Sequence, residues 1–145
     1  MSLNQDAIGT RTVSVPTIVE AGRIQAFCDV VNDHNPAFRQ SWRGGPVLAP
    51  PTFINTFRDG KSQLLIEHLG VDMPRLLHGD EIITCHRPLV AGDLVYQQVT
   101  IVDVGKKATR AMGNADYFRV RITVHDIKGE LMVEAFQSFF VRGDS

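Results

Sequence analysis

Phe118, Val120, Ile122 and Val124 alternate with Arg119, Arg121, Thr123 and His125, and this period of two constrains the fold more than any other feature of the chain. Such a segment is satisfied as a strand with one face in a core and the other toward water. Lys128-Gly129 then predicts a hairpin turn into a second strand over residues 131–141, and residues 93–104 supply a further β-rich run. A sheet with one apolar face needs a cover, and the first half of the chain provides it. Residues 17–32 read as a helix: Thr17 and Glu20 have capping-box spacing, and Ile18, Ala21, Ile24, Phe27, Cys28 and Val31 share one face. Pro50 and Pro51 suit the start of a second helix over residues 52–69, which carries Phe53, Ile54, Phe57, Leu64 and Leu65, with Gly60 as a candidate interruption. Helices first and antiparallel strands after predict an α+β fold, with an apolar helix lying on a curved antiparallel sheet.

The 145 residues, 43% of them hydrophobic, suffice for one domain spanning residues 1–145, with residues 1–12 a candidate disordered N-terminus. Fifteen Lys and Arg against 16 Asp and Glu argue against a nucleic acid or an anionic membrane as partner. Cys28 and Cys85 fall in apolar segments without CxxC or metal-ligand spacing, which predicts two reduced core residues. The start MSLNQDAIGTR has no apolar h-region, and no apolar run approaches the roughly 18 residues that span a bilayer, so a soluble cytoplasmic protein is expected.

Signatures of dinucleotide-binding, P-loop, α/β-hydrolase and zincin chemistry are all missing from the sequence. The five histidines show no metal spacing together with carboxylates, and no metal site is expected. Arg119 and Arg121, with Lys106, Lys107 and Arg110, are either a solvated strand face and loop or a contact surface for the phosphates of coenzyme A or an acidic carrier protein. That leaves residues 32–51, an irregular stretch containing Asn-Pro, Gly-Gly-Pro and Pro-Pro. In VVNDHNPAF, Asp33, His34 and Asn35 sit together and Pro36 fixes the backbone beside them. By residue type alone they are either loop and capping residues or polar groups held rigidly at a cleft.

The run DHNPAF, then VLAPPTFINTF, then LHGDEIITCHRPLVAGDLV resembles the MaoC-like hot-dog dehydratases and hydratases. Within them it looks most like the FAS1-like dehydratase branch, which includes the A-type subunits of mycobacterial (3R)-hydroxyacyl-carrier-protein dehydratase. The similarity covers residues 13–142. It implies a hot-dog fold, a long central helix wrapped by an antiparallel sheet, in a homodimer or a heterodimer with another hot-dog subunit. It also implies (R)-specific hydration of an enoyl thioester, or the reverse dehydration of a (3R)-hydroxyacyl thioester, with the acyl group on coenzyme A or an acyl carrier protein. No metal or redox cofactor is implied.

Catalytic relatives carry DxNPxH, and the Asp and His of that motif hold and activate the water. Asp33, Asn35 and Pro36 match, while Phe38 stands at the histidine position and cannot transfer a proton. The resemblance makes Asp33, His34 and Asn35 the candidate catalytic residues. Phe38, Pro51, Thr52, Phe53, His78 and Gly79 become the candidate substrate-binding residues, the start of the central helix offering backbone N–H groups to the thioester oxygen. Three roles are open for a chain with Phe38. It is a hydratase whose proton-transfer group has moved to His34, His78 or His86, or a supporting subunit beside a partner with an intact Asp-His pair, or a thioesterase or acyl-thioester binder on the same fold.

Overall fold

The computed structural model describes residues 2–41 and 44–143. Strand β1 (Val15–Ile18) leads into helix α1 (Ala21–Val31). A 3₁₀ turn (Pro51–Thr56) and the short helix α2 (Lys61–Leu64) follow, and the long strands come last: β2 (Leu76–Cys85), β3 (Leu94–Thr109), β4 (Gly113–His125) and β5 (Leu131–Val141). They form one antiparallel sheet in the order β1-β3-β4-β5-β2. The α+β expectation holds.

The alternation in β4 decides which face is which. Phe118, Val120, Ile122 and Val124 are at most 1% exposed, and across β5 they meet Phe139, Gln137, Ala135 and Val133. The helical segments fill the concave side, where Ile24, Phe53, Ile54, Leu65 and Leu69 join the same buried cluster. Register shifts between Ile101 and Asp103 and between His78 and Asp80 add the local bend and twist that let a sheet curve around such a layer. The β4–β5 turn forms where Lys128-Gly129 predicts it, with Gly129 at φ 83°. Asp126 closes this turn by accepting the Lys128 and Glu130 amides at 2.8 and 2.9 Å. The Glu130 amide is the main reason its carboxyl is held below the usual range.

Several expectations change. Thr17 lies in β1 opposite Val95, so the Thr17–Glu20 capping box does not form. Helix α1 starts at Ala21 behind Glu20, which makes no side-chain cap. Pairing of β-branched Val15, Thr17 and Ile18 with the edge of β3 outcompetes a cap worth about 1 kcal/mol. The covering face of α1 narrows accordingly to Ile24, Cys28 and half-buried Phe27, while Ile18 and Val31 are exposed.

The central helix over residues 52–69 is divided. The 3₁₀ turn ends at extended Phe57, Gly60 takes φ 72°, and α2 then widens into a π turn at Leu65–Leu69. Asp59 explains the break: its Oδ1 accepts the Lys61 amide at 2.9 Å and its Oδ2 accepts Nε2 of fully buried Gln97 at 2.9 Å. Gly60 is the interruption that the sequence suggests.

Residues of the candidate disordered N-terminus contact the rest of the fold. Leu3 and Ala7 are buried, Gly9 N–H donates to the Ile101 carbonyl at 2.8 Å, and Thr12 Oγ1 accepts the Val99 amide. Both cysteines are free, but only Cys28 is a core residue; Cys85 is exposed at the end of β2, because β2 is an outer strand with β5 on one side. Among the described residues, no helix is long and apolar enough to cross a membrane.

Candidate functional site

The polar loop is built by successive side-chain caps. Helix α1 ends at Asn32 in the left-handed region (φ 59°), a conformation that asparagine tolerates better than most residues. The Asp33 amide returns to the Cys28 carbonyl at 2.8 Å. Asp33 Oδ1 then accepts the Asn35 N–H at 3.0 Å, and Asn35 Oδ1 accepts the Ala37 N–H at 3.1 Å. With Pro36 opening the short turn Pro36–Phe38, Asp33 and Asn35 each cap the amide two residues on. His34 is exposed and its Nε2 lies 2.8 Å from Asn32 Oδ1, so its partner is the asparagine before Asp33, not Asp33 itself. Phe38 is half-buried and packs on the core cluster.

Arg39, which sequence reasoning passed over, locks this loop. Its Nε and Nη2 donate to the Asp33 carbonyl at 3.1 and 2.8 Å, and its Nη1 to Asp29 Oδ1 at 2.6 Å. The Asp29 end is more than half exposed and counts for little on its own, whereas the pair of hydrogen bonds to one carbonyl fixes where Asp33 sits. Arg39→Met, which keeps the stem and removes the donors, is expected to lower stability by roughly 1–3 kcal/mol. The check is urea unfolding together with faster amide exchange at Asp33 and Asn35; unchanged exchange there would show that the caps alone hold the loop. Burial pushes the Cys28 thiol up, the Asp33 carboxylate adds to this, and the Arg39 guanidinium opposes it.

Helix α1 also sets the second half of the site. Phe27 meets Phe53 edge-on with centroids 5.8 Å apart, and Arg23 Nη2 donates to the Thr56 carbonyl at 3.2 Å. The DHNP loop and the 3₁₀ turn that begins at Pro51 therefore share one support. Pro51 and Thr52 are exposed. Phe53 is engaged internally at both ends: its ring is 1% exposed, and its N–H is bonded to the Pro50 carbonyl at 2.9 Å. Of the backbone N–H groups of Thr52 and Phe53 at the start of this turn, that of Phe53 is therefore already engaged.

His78 and Gly79 open β2. The His78 ring lies 4.9 Å from that of Phe139, which stacks on Phe118. Gly79 sits at the β2 bulge, where an added Cβ would come within 2.9 Å of the Phe140 ring and 3.0 Å of the Ser138 carbonyl. Among the described residues, no hydrogen bond or ring contact joins either to the DHNP loop. Their link runs through a polar seam that the sequence did not announce. Asn55 Nδ2 donates to Glu81 Oε1 at 3.0 Å, Gln137 Nε2 donates to Asn55 Oδ1 at 3.0 Å and to Glu81, and Lys61 Nζ donates to Gln137 Oε1 at 2.9 Å. This seam ties the 3₁₀ turn and α2 to β2 and β5. Its only sequence signal is a glutamine on the apolar face of β5.

Comparison with known proteins places this architecture. The chain is 34% identical to a UPF0336 protein of Streptomyces coelicolor, over 98% of this chain and 97% of that relative. Among solved structures, the HadBC (3R-hydroxyacyl-ACP dehydratase) complex of Mycobacterium tuberculosis superposes with a TM-score of 0.74 at 24% identity, covering 93% of this chain and 97% of that one. The ChsH1–ChsH2 complex of the same organism gives 0.71 at 18% identity, covering 95% and 90%. These likenesses show the hot-dog fold. The description "FAS1-like, dehydratase domain region" matches residues 6–135, and the chain belongs to that family.

Proposed function

We propose that this chain takes part in the reversible hydration of trans-2-enoyl thioesters to (R)-3-hydroxyacyl thioesters, carried on coenzyme A or an acyl carrier protein, as one subunit of a hot-dog pair whose partner supplies the histidine. The observation that carries this division of labour is Phe38. It stands five residues after Asp33, packs on the core, and offers no proton-transfer group, while the Asp33, Asn35 and Pro36 loop around it is fully formed.

The reaction needs a base at the α-carbon, an acid at the β-hydroxyl and a donor for the thioester oxygen as negative charge develops there. In dehydration the partner subunit's histidine takes the α-proton, the C–O bond at the β-carbon breaks, and the leaving hydroxyl collects a proton from the resulting imidazolium and departs as water, so the histidine ends as it began. On this reading Asp33 orients the water and the Thr52 amide faces the thioester oxygen. Asn35 holds the loop through its cap on Ala37. The thioester itself acidifies the α-proton, so the chemistry calls for no metal or redox cofactor.

A second chain fits the outer strand. β2 is unpaired on one side and exposes Leu77 and Ile82 at 41% and 54%. An open edge of this length is a pairing surface unless something covers it. The hetero-complexes among the structural neighbours support a hot-dog subunit as that cover.

The test follows loss of enoyl-thioester absorbance with a short and a long trans-2-enoyl-CoA. The purified chain is assayed alone and mixed with a hot-dog subunit carrying complete DxNPxH. The mixture is expected to exceed either subunit by about 10²-fold, the lower end of what general acid–base catalysis contributes. Hydration by this chain alone would remove the division of labour and point to His34. Release of free thiol without hydration would replace the whole reading with a thioesterase.

A further inference from the structure

On the convex face of the sheet, opposite the helices, lies a hollow of about 360 Å³ that the proposed reaction does not use. Gly79, Tyr117, Ser138 and Phe140 line it together with the cations Lys107 and Arg119. The volume is at the lower end of that of small-molecule sites. We infer that this hollow binds a phosphate ester and, resting on the thioester reading above, that it takes the phosphate-bearing end of the acyl carrier.

The donors are arranged for an anion. Lys107 Nζ is held 3.9 Å above the Tyr117 ring, and the Arg119 guanidinium 4.7 Å from the Phe136 ring. Stacking of this kind restrains a cation without neutralising it. Among the described residues, neither has a carboxylate within 4.0 Å, in contrast to their neighbours: Lys106 pairs with Asp116 and Arg121 with Glu134. Arg119 Nε is moreover buried with no hydrogen-bond partner. A buried unmet donor on a full charge calls for an acceptor. Tyr117 and Ser138 are 7% and 8% exposed, and their hydroxyls meet only loosely, at 3.4 Å, so both remain able to donate to a third group.

The four side chains come together because β4 and β5 register Arg119 against Ser138 and Tyr117 against Phe140. The bulge in β2 places Gly79, which adds no side chain, where the hollow opens. Guanidinium, ammonium and two hydroxyls match a tetrahedral dianion with several acceptor oxygens better than a planar monoanion. Asp80, exposed, is the one acid that lines the hollow among the described residues, and its charge opposes an anion there, so Lys107 and Arg119 together must outweigh it.

Titration of the intact chain with adenosine 3′,5′-bisphosphate, pantetheine 4′-phosphate, inorganic phosphate and unphosphorylated pantetheine, read by calorimetry, tests this. Saturable binding of a phosphate ester is expected, weakened at least tenfold in Arg119→Gln and in Lys107→Gln and unchanged in Lys106→Gln. Lys107 is exposed, so its variant stays informative should Arg119→Gln lose the fold. Equal binding of pantetheine without phosphate, or wild-type affinity in the folded Lys107 variant, would overturn the site. Inorganic phosphate binding as tightly as either ester would overturn its assignment to a carrier. Hydration of an N-acetylcysteamine enoyl thioester, which carries no phosphate, separates the two readings. Turnover without phosphate binding sinks this inference alone, and phosphate binding without turnover in any subunit mixture sinks the hydratase reading and the carrier assignment that rests on it, leaving the phosphate site.

Discussion

Phe38→His is expected to raise hydration of trans-2-enoyl-CoA by the chain alone about 10²-fold or more over the unaltered protein. Position 38 closes a turn whose every residue is pinned: its amide donates to the Asn35 carbonyl at 3.0 Å, and Asp33 is held by Arg39 and by its own cap on Asn35. An imidazole introduced there enters a loop that already positions a carboxylate. The rate should rise as pH passes upward through about 6.5, because the base must be the neutral form of histidine. Phe38→Ala serves as the control. It opens the same space without a titrating group and should leave hydration at its starting level. A folded Phe38→His protein with no gain would show that Asp33 does not face the thioester, and the proposed site would have to move.

The largest effect on stability is expected at Phe53. Phe53→Ala should cost about 3–5 kcal/mol, a large share of the 5–15 kcal/mol that holds a typical domain together. The ring is 1% exposed and is met edge-on by Phe27 at 5.8 Å and Phe57 at 5.5 Å, so its removal leaves a void between α1, the 3₁₀ turn and the sheet. Phe53→Leu, which keeps most of the volume, should lose markedly less. Urea unfolding midpoints at constant slope measure both. A loss near 1 kcal/mol for the alanine variant would mean that the surrounding rings collapse into the gap. Because Phe27 and Phe53 also join the two halves of the candidate site, Phe53→Ala should disturb the loop as well as the core.

Much of the sheet was legible because strand signals are local. The alternation in β4 and the turn at Lys128-Gly129 each depend on residues within a few positions of one another, and both appear where the sequence puts them. The caps of the DHNP loop belong to the same class, since asparagine and aspartate bond two residues ahead whatever surrounds them. Helix boundaries were misread where a distant partner intervened. Val15–Ile18 became a strand because β3, some 80 residues on, offered an edge, and the central helix broke at Asp59 because Gln97 claimed its carboxylate.

The site divides in the same way. Sequence by itself determined the residue types in the loop, the phenylalanine five residues after Asp33, and the α+β order of elements, all of which follow from neighbours along the chain. Tertiary structure alone decided that Arg39 clamps Asp33, that Gln137 gathers Asn55, Glu81 and Lys61, that Cys85 is exposed, and that Lys107 and Arg119 line one hollow without a carboxylate partner among the described residues. Each of these depends on side chains brought together by strand register and helix packing, and no local pattern encodes which distant group will arrive.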